Sequence, residues 1–565
     1  MSRCDVVVFR CPEERCKECL DSSLSTCSRL ASLTNDNQSK AVMLEPEKNL
    51  VHVGGLEEQV PVGPPWKGND WETVFIYDYA QLLDSHLKLM DVYTIGPYLS
   101  LFFDRIGESG ILHRTHPLVR SPLEFGLLDR LSDDLQKLTE GMPSVRMELS
   151  ERLQHVSECV SARIVQTLPE ISETTRERIA NVVAGRTSVL GRFLPILLDD
   201  GVEEVYVDRP GVPVYFDHQR FGRCSSDIVI DKNDVARLAT LVRAESNLHL
   251  DRRNPSLKTN LRLYDVALRL AISTPPLSPD GVHLEIRRAK ETPFSIMNLV
   301  LNGTLGLKAA AALALAVGSR FNITITGGPG TGKTTLLNAL DMSTPSMWRK
   351  IYIEDAIESR VFSNHHQVRI RVDPVDEISN RFDKTSEIVK SLHRSPDYLV
   401  LGEIQTAEHS EALFQAIAAG LRVMQTCHSD SAASLVARWT SGHGIEKTNV
   451  ALIDLIVTME RPIPGKSYRR VNQIVEIRKE VVDGFLVFSG LNTLYDWRNP
   501  ESVRWAQDGA FMFHAHRIGL ESHVPAYEAI LTCLEHERSS SYAGPSPSLS
   551  DRLWGEGHPM LSLGM

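Results

Sequence analysis

At 565 residues the chain is long enough for about three or four domains with cores of their own, and 42% hydrophobic with 24% charged residues is ordinary for a globular protein in water. A formal net charge of -11 argues against a protein built to grip a nucleic-acid backbone, which needs concentrated positive charge. No apolar run reaches the roughly 18 to 20 residues needed to span a bilayer, and Asp5, Glu13, Glu14, Arg15 and Lys17 interrupt any secretory core, so a cytoplasmic protein is expected.

Residues 1–70 hold five of the nine cysteines, Cys4, Cys11, Cys16, Cys19 and Cys27. Cys16 and Cys19 have the two-residue gap of a zinc knuckle, and Cys11 and Cys27 could complete a tetrahedral thiolate set; the same residues read equally well as reduced thiols on a poorly ordered arm. Across 71–190, heptad-like apolar positions in YAQLLDSHLKLMDVY and LLDRLSDDLQKL predict a helical adaptor domain. Residues 191–295 change to short alternating segments with turn signals at Asp208-Arg-Pro-Gly and Ser278-Pro-Asp-Gly, which predicts a small α/β domain ending in His283-Leu-Glu-Ile-Arg287-Arg288. A linker is expected over 296–305.

The segment FNITITGGPGTGKTTLLNAL, residues 321–340, reads as strand, glycine-rich loop and helix. Gly327-Gly328-Pro329-Gly330-Thr331-Gly332-Lys333-Thr334 fits GxxxxGK[ST], and Thr335 follows on the helix. In such a loop the backbone N–H groups close around a phosphate, Lys333 reaches its outer oxygens, the Thr334 hydroxyl ligates Mg²⁺, and the helix adds its positive dipole end. Further buried strands at Lys350-Ile-Tyr-Ile, Tyr398-Leu-Val-Leu and Arg422-Val-Met-Gln-Thr predict a mostly parallel sheet over 306–460. Each ends in polar residues, Glu354-Asp355, Gly402-Glu403 and Thr426-Cys427-His428-Ser429, which should converge on the phosphates held by the loop. A C-terminal subdomain over 461–537 and a disordered tail over 538–565 complete the chain.

Hydrolysis of a γ-phosphate needs a metal, a lysine and a carboxylate that orients or deprotonates water. Glu403, ending an apolar strand, suits the metal shell; Glu354, Asp355 and Glu358 suit the water side, and His428 suits a γ-phosphate sensor. The nearest look-alike of a guanine-reading NKxD element, Asp231-Lys-Asn-Asp234, precedes the loop instead of following it, which argues against a GTPase.

With these motifs in order, phosphate loop, acidic box Ile353-Glu-Asp-Ala-Ile-Glu358, the strand Pro396 to Glu403 and the box Thr426-Cys-His-Ser, the chain resembles the secretion ATPase superfamily, the motors of type II and type IV secretion, type IV pili and the archaellum, in the style of its archaeal branch. The resemblance spans roughly residues 165 to 500. It implies a RecA-like ATPase domain preceded by the small α/β domain and the helical domain. It also implies a homo-hexamer hydrolysing ATP with Mg²⁺, peripheral on the inner face of the cell membrane. There it would dock on an integral membrane platform protein and act indirectly on pilin-like or secreted substrates. Carried over by residue, Lys333, Thr334 and Glu403 serve phosphate and metal, Glu358 is the base, His428 couples, and Arg269, Arg287 and Arg288 face nucleotide within or across subunits. The chain departs from the family at Gln405, at Leu392-His393, and at Ala419-Gly420-Leu421, where relatives carry arginine or Thr-Gly-His. A nucleic-acid translocase on a similar core and an ATP-binding scaffold with little turnover are the two rivals; nucleic-acid-stimulated hydrolysis and steady-state phosphate release separate them.

Overall fold

The computed structural model describes residues 87–539 apart from 106–109, 119–121, 134–147, 188, 247–248, 289–292, 356, 363–364 and 374–381, and four backbone strands nearer the N-terminus. Those strands, β1 (Arg3–Val8), β2 (Val42–Glu45), β3 (Leu50–Val53) and β4 (Trp71–Ile76), lie in the order β3-β2-β1-β4. Cys11, Cys16, Cys19 and Cys27 of the anticipated zinc set lie outside the described residues, as does the tail beyond residue 539. The chain divides into two units, Met1–Glu291 with Gly465–Ser467, and Thr292–Pro464 with Tyr468–Met565.

In the first unit, β5 (Leu87–Ile95), β6 (Tyr98–Arg105) and β7 (Ile111–Pro117) precede the helices α1 (Pro122–Asp133), α2 (Leu149–Thr167) and α3 (Glu173–Arg186). Then come β8 (Val202–Val207), β9 (Pro213–His218), β10 (Gly222–Val229), helix α4 (Lys232–Ser246), β11 (Ser256–Leu263), β12 (Val266–Ser273) and β13 (His283–Arg288). The strands form one nine-stranded sheet in the order β11-β12-β13-β8-β9-β10-β7-β6-β5. Helix α2 starts on a capping box between Glu148 and Glu151 and buries Leu149, Leu153, Val156, Val160 and Ile164, a stripe at helical spacing that joins the core of this sheet.

Two sequence expectations fail here. Residues 87–117 were expected to be helical, yet they form three strands. Val92, Tyr93, Thr94 and Ile95 are β-branched or aromatic, Gly96 turns the chain at φ 51, and Leu99, Leu101, Phe102 and Phe103 are all buried where pairing outweighs the heptad spacing. The helical and small α/β domains, expected to be separate, also share one sheet and one continuous core.

The second unit opens with α5 (Ile296–Leu301) in place of the anticipated linker; Ser295 and Asn298 form its capping box, and Ile296, Met297 and Leu299 are buried. Helix α6 (Leu307–Gly318) is buried on all sides from Ala309 onward, as its alanine-rich sequence allows. The sheet contains β14 (Ile323–Gly327), β15 (Arg349–Glu354), β16 (His366–Arg371), β17 (Tyr398–Ile404), β18 (Val423–Cys427), β19 (Leu455–Glu460), β20 (Arg470–Val482) and β21 (Phe485–Asp496). Between them lie α7 (Lys333–Met342), α8 (Lys384–Lys390), α9 (Ala407–Ala418) and α10 (Ala432–Ala437), and α11 (Ala510–Arg517) and α12 (Val524–Ser539) follow.

Strand order is β16-β15-β17-β18-β14-β19-β20-β21, parallel from β16 through β19 and closed by an antiparallel hairpin. This is an α/β, RecA-like sheet with one apolar core on each face. The expected separate C-terminal subdomain is instead its continuation, since β20 pairs with β19 and α12 packs in the same core as α6. A fully buried cluster ties the far end of α7 to β15: Lys350 Nζ donates to Asp341 Oδ1 at 2.7 Å and to Thr344 Oγ1 at 2.9 Å, and the Tyr352 hydroxyl donates to Asp341 Oδ2 at 2.7 Å. The loop helix and the acidic box are thereby held on one rigid frame.

Candidate nucleotide site

Every residue of β14 is buried, so the strand delivers the glycine loop directly from the core. Gly330 and Gly332 have φ of 66 and 92, and a Cβ on Gly327 would lie 2.3 Å from the Met459 carbonyl oxygen; only glycine fits this path. The Thr331 hydroxyl donates to Gly328 O at 2.9 Å and pins the turn. Gly332 caps α7, whose first turn carries Lys333, Thr334 and Thr335, and with Gly328 and Pro329 these residues form a cradle that fits a phosphate chain.

Lys333 is 7% exposed, and its Nζ donates to Gly327 O at 3.0 Å, to Gly328 O at 2.9 Å and to His428 Nδ1 at 3.2 Å. An ammonium has no acceptor lone pair, so His428 Nδ1 must accept and its Nε2–H donates to Glu403 Oε1. The other oxygen of Glu403 accepts from Gln405 Nε2 at 2.6 Å. Burial raises the Glu403 carboxyl, but His428, the Gln405 amide and Lys333 outweigh it and hold the group ionised below its ordinary range. An irregularity in β17 aims this side chain: pairing with β18 steps from Leu401–Gln425 to Glu403–Thr426, leaving Gly402 between them, where a Cβ would stand 3.4 Å from the Glu354 backbone. Thr326 Oγ1 donates to Ser429 O at 3.0 Å, locking the end of β14 to the histidine segment.

The acidic box divides its labour differently from the expectation. Glu354 was placed on the water side, yet its carboxylate is consumed locally, accepting from Glu358 N at 3.1 Å, Ser359 N at 2.9 Å and Ser359 Oγ at 2.5 Å; burial raises its pKa. No helical turn joins Glu354 to Glu358 among the described residues. Glu358 is half-buried and is positioned through its backbone, whose carbonyl accepts from Asn338 Nδ2 of α7 at 3.1 Å.

Three further residues were missed in the sequence. Lys384 is 3% exposed and donates to Glu403 O at 2.8 Å while lying 3.6 Å from Asp355 Oδ1. Arg438 donates to His428 O at 2.7 Å and to Gln405 O, so a cation from beyond α10 bridges the two strand ends. Arg469 donates through Nε to Gly330 O at 2.7 Å. The Arg469-Arg470 doublet was the one visible signal, and nothing local marked Lys384 or Arg438. Replacing Lys384 with methionine is expected to lower unfolding stability by about 1–3 kcal/mol, the cost of leaving buried acceptors unpaired, read as a drop in urea midpoint. An unchanged midpoint would show that Lys384 holds nothing in place.

In the first unit, Arg269 of β12 and Arg287 of β13 are direct cross-strand neighbours, and Arg287 faces Glu204 of β8. Like charges so placed cost stability. Arg288, grouped with them from the sequence, points to the other face: it is buried, with Nε on Leu197 O at 2.9 Å and Nη2 on Asp200. Among the described residues no group of three or more His, Cys, Asp or Glu side chains is placed to hold a metal ion. A Mg²⁺ site made of Thr334, Glu403 and substrate phosphates is not of that type, because Mg²⁺ is commonly held by one or two protein groups plus phosphate oxygens.

Residues 225–460 match the family model described as type II/IV secretion system protein. That segment belongs to the family. An uncharacterized protein of Methanocaldococcus jannaschii is 29% identical over 296 residues, 50% of this chain and 40% of the relative, so less than half of that relative's length is represented. A putative conjugal transfer protein of Mycobacterium tuberculosis is 29% identical over 243 residues, 41% of this chain and 67% of its own length. The type IV secretion system protein PtlH of Bordetella pertussis is 26% identical over 315 residues, 50% of this chain and 91% of its own. Among solved structures, the VirB11 ATPase from the Brucella suis type IV secretion system, in complex with sulphate, aligns at 21% identity over 52% of this chain and 95% of that one, with TM-score 0.25. The pilus retraction motor PilT with bound ADP aligns at 14% identity over 64% and 98%, with TM-score 0.38. No described helix is long and apolar enough to cross a membrane.

Proposed function

We propose that this chain hydrolyses ATP as a homo-hexameric motor, peripheral on the inner face of the cell membrane, driving assembly of a pilus-like filament or protein secretion through an integral membrane platform protein. One observation carries the chemistry: Lys333, His428 and Glu403 meet in a single hydrogen-bonded row at the carboxyl ends of neighbouring strands, beside a loop only glycine could build. In this reading the loop and Lys333 hold the β- and γ-phosphates, Glu358 takes the proton of the attacking water, and His428 links Lys333 to Glu403. Thr334 and Glu403 would hold Mg²⁺, which neutralises phosphate charge. To meet a phosphate, Lys333 exchanges the Gly327 and Gly328 carbonyls for phosphate oxygens, and the donor to His428 changes with it.

Steady-state phosphate release by the purified chain, with and without nucleic acid, is the test. Turnover independent of DNA and RNA supports the motor, and none above background supports the scaffold.

Arg269 and Arg287 are proposed to stabilise charge on the transferred phosphoryl group, an effect of about 10³ or more in comparable sites. Arg287→Ala is therefore expected to lower turnover far more than ATP affinity. Mixed hexamers of Arg287→Ala and Glu358→Gln subunits should recover activity if the arginine acts across an interface. No recovery would assign it to its own subunit, and full activity of the single variant would remove it from catalysis.

A further inference from the structure

Strand order sets two different flanks on the glycine loop. β14 lies between β18 and β19, so the loop leaving β14 has His428, at the end of β18, on one side and Glu460-Arg461, at the end of β19, on the other. The first flank holds the His428–Glu403 row. The second is cationic: a Cβ on Gly330 would lie 3.8 Å from Arg461 Nη1, and one on Gly332 would lie 3.4 Å from Arg469 Cδ. Arg469 is anchored there by its Nε bond to Gly330 O at 2.7 Å. Its neighbour Arg470 points elsewhere, pairing with Glu460 and lying over the Trp497 ring with 3.2 Å to the centroid. Both loop arginines are half-buried.

We infer that Arg461 and Arg469 bind the non-transferred phosphates of a nucleoside di- or triphosphate in their own subunit, on the flank of the loop away from the hydrolytic groups. The inference rests on the nucleotide reading of the loop. Guanidinium groups suit this task, since their planar N–H pairs match phosphate oxygens. Because the pair lies away from His428 and Glu403, it serves ADP and ATP alike and contributes to holding nucleotide, not to the reaction.

Calorimetric titration of the full chain with Mg-ATP and with Mg-ADP, alongside turnover measurements, tests this. Arg461→Gln is expected to weaken both nucleotides by about tenfold, raising KM by a similar factor while kcat stays within about twofold. Arg469→Lys, which keeps the charge but loses the fork that grips Gly330 O, should weaken both less than Arg469→Gln does. ATP weakened alone, or kcat falling with ADP affinity intact, would overturn the assignment by moving the arginines to the γ-phosphate. Unchanged affinities in both glutamine variants, with the wild-type chain binding normally, would also overturn it. A wild-type chain that binds neither nucleotide would refute the nucleotide reading itself.

Discussion

Lys333→Ala is expected to cost ATP and ADP about 10²-fold or more in affinity and to leave no measurable turnover. A hydrogen bond from a charged donor contributes about 1.5–3 kcal/mol, and losing two of them to phosphate oxygens corresponds to that factor. The side chain is 7% exposed and already ordered at the loop by Gly327 O and Gly328 O, and its charge-assisted bonds to phosphate replace the bonds to those neutral carbonyls. The variant also removes the donor to His428 Nδ1, and with it the constraint that makes Nε2–H face Glu403. Nucleotide titration by calorimetry reads the first effect, and the pH dependence of the His428 ring resonances by NMR reads the second. Wild-type affinity in the alanine variant would take the loop out of nucleotide binding.

The second large effect is expected at Glu358. Glu358→Gln should lower turnover by about 10² to 10⁴, the usual loss when a general base is removed, with ATP affinity retained. The backbone carbonyl of Glu358 accepts from Asn338 Nδ2 of the loop helix, and the substitution leaves that contact intact. Glu354→Ala provides the contrast. It deletes the acceptor of Glu358 N, Ser359 N and Ser359 Oγ, so it should lower turnover by loosening the box. Glu354→Gln keeps an amide oxygen for part of that set and should fall less. Single-turnover hydrolysis with pre-bound ATP separates these outcomes, and a Glu358→Gln protein turning over at the wild-type rate would leave the base elsewhere.

The sequence by itself determined the glycine loop, its strand and helix, the parallel α/β character of the second unit and the polar strand ends, because each is written in contiguous residues. A buried β-branched run, a glycine path and a helical leucine spacing are local properties. It also placed Arg287 at the end of the small α/β domain, although not that Arg269 is its cross-strand neighbour.

What only the tertiary structure decided is everything that depends on residues far apart in the chain. The strands over 87–117 arise from pairing with one another and, through β7 and β10, with residues more than a hundred positions away, and that burial outweighs a local helical spacing. Arg288 separates from Arg287 because successive residues of a strand face opposite sides of the sheet, which turns one of two adjacent arginines into a buried support. The cations at the strand ends, Lys384 and Arg438, come from helical segments after the acidic box and after the histidine box. Their roles were not legible because a buried carbonyl that needs a donor takes whichever one folding brings within about 3 Å, and no spacing along the chain encodes that distance.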